Sequence, residues 1–171
     1  MKLSILAICT LLASLCLPNP AFAANPQHLR RLLDTNVCRG CNLKGANLSK
    51  ADLSNADLRG ALLTNVNLQG ANLSGAKLHR AHMSNVNLSG ASLVGADLKG
   101  TSLDDADLTN ADLRQAQLTF ATLIRANLLN ADLRGAYFVG ANLRDANLTE
   151  VDLSSVILTR ATMPDGKVNK E

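Results

Sequence analysis

From Leu43 to Met163 every fifth residue is large and apolar. There are 25 such positions: 22 are Leu, and the others are Met83, Phe138 and Met163. Two residues before each runs a second register, from Cys41 to Ala161, in which 19 of the 25 are Ala. The exceptions are Cys41, Thr101, Val66, Val86, Val151 and Val156. Between the two registers lies Asn or Asp in 15 of 25 cases. The unit is A-(N/D)-L-x-x, as in Ala46-Asn47-Leu48-Ser49-Lys50, and no insertion breaks it between residues 41 and 165.

A period of five excludes the ordinary elements. On an α-helix five residues turn through about 500°, so the Leu positions drift by about 140° per unit and never form a stripe. On a flat strand an odd period sends successive Leu to opposite faces. The pattern closes only if the chain turns a corner within every unit, so that all Leu and Ala side chains point at one axis. Asn and Asp suit such corners because their side chains bond nearby backbone groups and tolerate turn conformations. A tetratricopeptide-type helical array is excluded as well, since its period is about 34 residues. Composition agrees. Only four residues are aromatic, Phe22, Phe120, Tyr137 and Phe138, whereas a mixed α/β core leans on such rings for buried area. The formal net charge of +3 indicates neither a strongly basic nor a strongly acidic partner surface.

This array closely resembles the pentapeptide-repeat family, including its small exported members such as those of the cyanobacterial thylakoid lumen. The resemblance covers Cys41 to about Asp165. It implies an all-β fold, a right-handed quadrilateral β-helix with four units per coil, in which residues 20 apart stack directly. The 25 repeats of residues 41–165 then make about six coils, a column about 30 Å long at one strand spacing per coil.

The flanks read differently. Residues 1–23 have the form of a secretory signal peptide: Met1-Lys2, an apolar run from Leu3 to Leu17, Pro18-Asn19-Pro20, and Ala21-Phe22-Ala23 as cleavage site. The apolar run is shorter than the roughly 20 residues needed to span a bilayer. Leu15 before Cys16 argues against a lipoprotein anchor. Residues 24–40 form a lead-in in which residues 26–34 are expected to be a capping helix. Its signals are Asn25-Pro26 at the start and a Leu29, Leu32, Leu33 stripe. Residues 166–171 read as a disordered polar tail, with no C-terminal cap in view.

Cys38-Arg39-Gly40-Cys41 is a C-x-x-C pair, and the register turns both cysteines inward. Export favours a disulfide. Buried free thiols and a redox or metal pair remain alternatives, although the βαβ context of a redox motif and two further zinc ligands are lacking. His79 and His82 are expected to face outward as solvated side chains, and His28 lies in the cap helix. No metal, cofactor or catalytic set has sequence support. The Asp residues fall at the turn position of the repeat, and Arg114 and Arg134 follow Asp112 and Asp132 closely enough to offset them. Asn47, Asn67, Asn87, Asp107, Asn127 and Asn147 are expected to form a stacked ladder of amides.

One outer face changes character along the column. Early coils offer Asp57, Arg59, Lys77, His79, Asp97 and Lys99; later ones offer Tyr137, Val139 and Ile157, with Phe120 and Ile124 beside the next corner. These five apolar residues, Phe120, Ile124, Tyr137, Val139 and Ile157, are the candidate contact surface for a partner protein or a second copy. The function expected is that of an exported, non-enzymatic structural or protein-interaction solenoid of the periplasm or the thylakoid lumen. No nucleic acid and no stable membrane anchor are expected. Two alternatives fit less well. Some relatives in the resembled family protect a topoisomerase by mimicking DNA, but that needs a strongly negative column in the cytoplasm. An enzyme needs a site that the sequence does not contain.

Overall fold

The computed structural model describes residues 23–170. Apart from Ala23, the signal-peptide reading lies outside the described residues.

Each repeat is a short extended piece followed by a corner. At the corner Ala46 N–H donates to Leu43 C=O across 3.0 Å, and Gly45 takes φ +67° while Lys44 stays at negative φ. That is the pattern of a type II turn. Every fifth residue from Gly40 to Arg160 repeats the positive φ, except Ser155. Seventeen of these 24 residues are Gly, Asn or Asp, the types that enter the left-handed region at least cost. The Asn or Asp of each unit completes the corner: Asn47 Oδ1 accepts from Ser49 N–H at 3.1 Å, and Asp52 Oδ1 from Ser54 N–H at 3.1 Å. The expected bonding of these side chains to local backbone is therefore observed.

Four corners return the chain to its start. Parallel bridges join residues 20 apart on four sides. Side 1 runs Val37–Asp57–Lys77–Asp97–Gln117–Tyr137–Ile157, side 2 starts at Asn42, side 3 at Asn47 and side 4 at Asp52. Each rung is a pair of short bonds: Leu48 N–H donates to Asn67 C=O at 2.8 Å, and Asn67 N–H to Ala46 C=O at 3.0 Å. The core is the bore of this column. Leu98 and Ala96 are both fully buried, and Met83 and Phe138 are accommodated in the Leu register. Thr101 sits in the Ala register, where its hydroxyl donates to Leu98 C=O at 2.7 Å. Among the described residues no buried side-chain nitrogen or oxygen lacks a partner, as a satisfied core requires.

Helix α1, Pro26–Thr35, closes the N-terminal mouth. It runs one residue beyond the expected span. Asn25 caps its start by accepting from Gln27 and His28 N–H, and Asn36 ends it in the left-handed conformation. Leu32 is buried on the first coil, with Leu29 and Leu33 packed beside it. Two bonds tether the helix to the coil: Asn25 N–H donates to Asn42 C=O, and Asn42 N–H donates to His28 Nδ1, both at 3.0 Å.

The C-terminal end corrects the expectation of a disordered tail. Residues 166–169 fold back along the last coil. Gly166 turns the chain at φ +80°, Val168 pairs antiparallel with Thr162, and Asn169 N–H donates to Ala161 C=O at 2.8 Å. The driving force is the unpaired backbone of a terminal coil, which this segment satisfies. The cover is partial. Leu148, Val151, Leu153, Val156, Leu158 and Met163 remain partly exposed. On side 4 the last rung of the ladder, between Asp132 and Asp152, is missing.

Candidate functional site

Three features could carry chemistry or recognition, and each follows from its place in the coil. Cys38 and Cys41 form a disulfide with their Cα atoms 5.3 Å apart, both side chains buried. The bond occupies both thiols. It links two positions of the lead-in to the first coil rather than coil to helix; α1 is reached only where Cys38 Sγ lies 3.1 Å from the His28 carbonyl oxygen.

Charged side chains pair along and within coils. Asp57 is almost completely buried on side 1, between Arg59 and Arg39, with contacts of 2.8 and 2.7 Å. The hydrogen bonds from Arg59 above all, with those from Arg39, hold its carboxyl far below the usual carboxylate range against the cost of burial. Arg114 bonds Asp112 and Arg134 bonds Asp132, at 2.7 and 2.6 Å, and each arginine lowers the pKa of its carboxylate. The expected offsetting is present. The expected amide ladder is mostly not. Along the Asn47 side only Asn147 Nδ2 donates to the amide oxygen below it, Asn127 Oδ1, at 2.9 Å. The other side-chain oxygens there serve their own corners instead. His79 is half-buried and His82 exposed. Among the described residues no three His, Cys, Asp or Glu gather as metal ligands, and no helix is long and apolar enough to cross a membrane.

The five apolar residues separate into two groups. Phe120, Tyr137 and Ile157 are exposed by 70, 44 and 41%. Ile124 and Val139 are only half-exposed. They follow the bore residue of their unit, a position at which Arg114 and Arg134 are exposed. Ile124 also belongs to side 2, with its N–H bonded to Asp104 Oδ1 at 2.9 Å. The exposed ridge is therefore narrower than the sequence suggests. Tyr137 pairs directly with Ile157 along side 1. Phe120 stands at the corner of the same side with φ +58°, the one aromatic residue among the described positive-φ positions. A bulky side chain is a genuine outlier there. Its ring lies over Gly140, so close that a Cβ on that glycine would stand 2.6 Å from Phe120 Cε1.

The sequence matches the family described as Pentapeptide repeats in 8 copies, over residues 41–80, 81–119, 101–138 and 126–163. No curated protein matches it. Among solved structures it is similar to HetL, a pentapeptide repeat protein involved in heterocyst differentiation regulation from the cyanobacterium Nostoc sp. strain PCC 7120. Identity is 34% with a TM-score of 0.49, over 78% of this chain and 66% of that one. This chain thus spans just under two thirds of the length of HetL. It is also similar to a pentapeptide repeat protein from the Arabidopsis thaliana thylakoid lumen, with 29% identity and a TM-score of 0.46 over 64% of this chain and 70% of that one. A third similarity is to QnrB1, a plasmid-mediated fluoroquinolone resistance protein, at 16% identity and a TM-score of 0.36, over 79% of this chain and 78% of that one. With the repeat matched over most of the sequence and its 20-residue coil seen in the ladders, the chain belongs to the pentapeptide repeat family.

Proposed function

We propose that this protein is an exported, non-enzymatic scaffold that binds a partner protein through the apolar end of side 1. Its column is a right-handed quadrilateral β-helix, the fold of its family. Residues 1–23 supply an export signal, and the Cys38–Cys41 disulfide suits an oxidising compartment such as the periplasm or the thylakoid lumen.

The observation that carries the binding reading is Phe120. Most corners of this fold carry Gly, Asn or Asp and the rest, Phe120 apart, carry flexible Lys, Arg, Gln or Glu. A non-glycine residue costs about 1–2 kcal/mol there, and Phe120 is the one rigid aromatic among them. Burial does not repay that cost, since the ring is 70% exposed. Residues that break a local rule without a structural return mark function, and exposed aromatic anchors dominate many contacts. Mimicry of DNA fits worse. The most acidic side, side 4, has Asp52, Asp112, Asp132 and Asp152 against Arg114 and Arg134, far from a polyanion.

The test is affinity capture from the exported fraction with the wild type and with Phe120→Asp/Tyr137→Asp. Asp suits the left-handed corner, so the circular dichroism is expected to stay that of the wild type. The double variant is expected to lose the captured protein. An unchanged capture profile from a folded variant refutes the assignment of this face.

A further inference from the structure

Charge is distributed unevenly around the column. Side 1 with its corners carries Arg39, Arg59, Lys77, Arg80, Lys99 and Arg160 against Asp57 and Asp97, a surplus of four positive charges. Through residue 165 side 2 has a surplus of one negative charge, with Lys44, Arg125 and Arg144 against Asp104, Asp105, Asp145 and Asp165. Side 3 has Lys50 against Asp107 and Glu150, and side 4 a surplus of two negative charges. The single cationic side is also the one that bears the exposed apolar ridge.

One column concentrates both properties. The corner of side 1 reads Arg80, Gly100, Phe120, Gly140, Arg160, an alternation of long side chain and glycine. At Gly140 the glycine is sterically required, because the Phe120 ring lies over it; the stem of Arg80 lies over Gly100 in ordinary contact, with Cγ 3.7 Å from where a Cβ would stand. The side chains thus lie along the axis and form a strip instead of isolated projections. Arg80, Phe120 and Arg160 are all exposed, and no described residue forms an ion pair with either arginine. Successive members are two coils apart, about 10 Å at one strand spacing per coil. A polyproline II segment rises about 3.1 Å per residue with three residues per turn, so residues three apart point to one face and lie about 9 Å apart.

The geometry points to this strip as the docking site for a segment of the partner protein in polyproline II conformation with the pattern carboxylate–x–x–apolar–x–x–carboxylate, whose i, i+3 and i+6 side chains share one face. The two carboxylates meet Arg80 and Arg160, and the apolar side chain lies on the exposed face of Phe120 against Tyr137. The inference rests on the reading of side 1 as the working face and adds the chemistry of what binds there. Charge complementarity selects the occupant. Bidentate carboxylate–guanidinium pairs give such a contact direction as well as strength. A nucleic-acid backbone fits less well, because it would lay phosphates across Asp97 as well as the cations. A lipid surface has no fixed spacing between charges and apolar groups, and the strip has one.

The test is fluorescence anisotropy of the purified protein at low salt with three labelled peptides. The first has the sequence Glu-Gly-Ser-Phe-Ser-Gly-Glu. The second has the same composition with both Glu at one end, and the third has Gln in place of Glu. The first is expected to bind at least tenfold tighter than either control and to weaken as salt rises. The Arg80→Glu/Arg160→Glu variant is expected to lose at least tenfold for it, and to gain for a peptide with Lys in place of both Glu. Equal binding of the first two peptides, or no binding of the first at millimolar concentration, overturns the proposal. So does tighter binding of phosphatidylglycerol vesicles or of a single-stranded oligonucleotide at the same salt. Capture that survives Arg80→Glu/Arg160→Glu but is lost in Phe120→Asp/Tyr137→Asp refutes the acidic segment and leaves the apolar face standing. Capture that survives both refutes the face itself.

Discussion

At the residue scale, the bore and the surface follow different rules. Leu98 and Ala96 show no exposure, and the large and small registers must alternate because the column is too narrow for two large residues per unit. Leu98→Ala is expected to cost about 2–5 kcal/mol by leaving a cavity, and Ala96→Leu about 1–3 kcal/mol by overpacking. Denaturant titration measures both; two wild-type midpoints would contradict a close-packed bore. Asp57 tests a different rule. Its folded pKa is depressed, chiefly by Arg59. The stability it contributes is therefore complete above the unfolded value near pH 4 and is lost as pH falls toward the folded value. Asp57→Asn is expected to melt below the wild type at pH 7, with a gap that narrows from about pH 4 downward. A gap that stays constant to pH 2 would assign Asp57 a packing role alone. The inward registers were fully legible in the sequence, because a steric rule repeated 25 times leaves little freedom. The exposure of Ile124 and Val139 was not. Both stand at outward positions, and how far neighbouring coils cover such a residue is not set by its place in the repeat.

At the element scale, the two ends of the column show what a repeat pattern can and cannot announce. Helix α1 was legible from Asn25-Pro26 and its Leu stripe, since capping and amphipathic spacing are local signals. The C-terminal fold-back was not. What holds residues 166–169 is the free backbone of the last coil at Arg160 and Ala161, and backbone groups carry no sequence signature. The missing rung at Asp152 is of the same kind. The unit Val151-Asp152-Leu153-Ser154-Ser155 looks regular, but a terminal coil has a neighbour on one side only. The disulfide lies between these cases. The C-x-x-C motif located it, and burial of both cysteines under α1 follows from the register. In protein from the exported fraction, denatured without reductant, Cys38 and Cys41 are expected to resist alkylation, and to take one label each after reduction. Peptide mass spectrometry distinguishes the outcomes; labelling before reduction excludes the bond. The loop is short, so its removal is expected to cost only about 2 kcal/mol in the chain-entropy model.

At the scale of the whole molecule, the column separates folding from recognition. The bore depends on a period of five, and every unit satisfies it alike. The faces depend on a period of 20, because only residues one full coil apart share a side. A deletion can therefore respect one period and break the other. Removing the single unit Ala91–Gly95 leaves the Ala and Leu registers continuous, so the chain can still stack. It also rotates everything after it by a quarter turn relative to what precedes it. Arg80 then remains on its side while Phe120, Tyr137 and Arg160 move to the neighbouring one. Removing the complete coil of residues 86–105 shortens the column but returns Phe120 and Arg160 to the side of Arg80, now one coil closer to Phe120. Both variants are expected to keep the β-sheet circular dichroism of the wild type, scaled to length. The single-unit deletion is expected to bind the Glu-Gly-Ser-Phe-Ser-Gly-Glu peptide at least tenfold more weakly. The whole-coil deletion shifts the preference toward a peptide whose first Glu stands one or two residues nearer the Phe, since one coil of about 5 Å equals about one and a half residues of a polyproline II segment. If the two deletions bind alike, the strip is not read as one aligned surface, and recognition lies within a single coil.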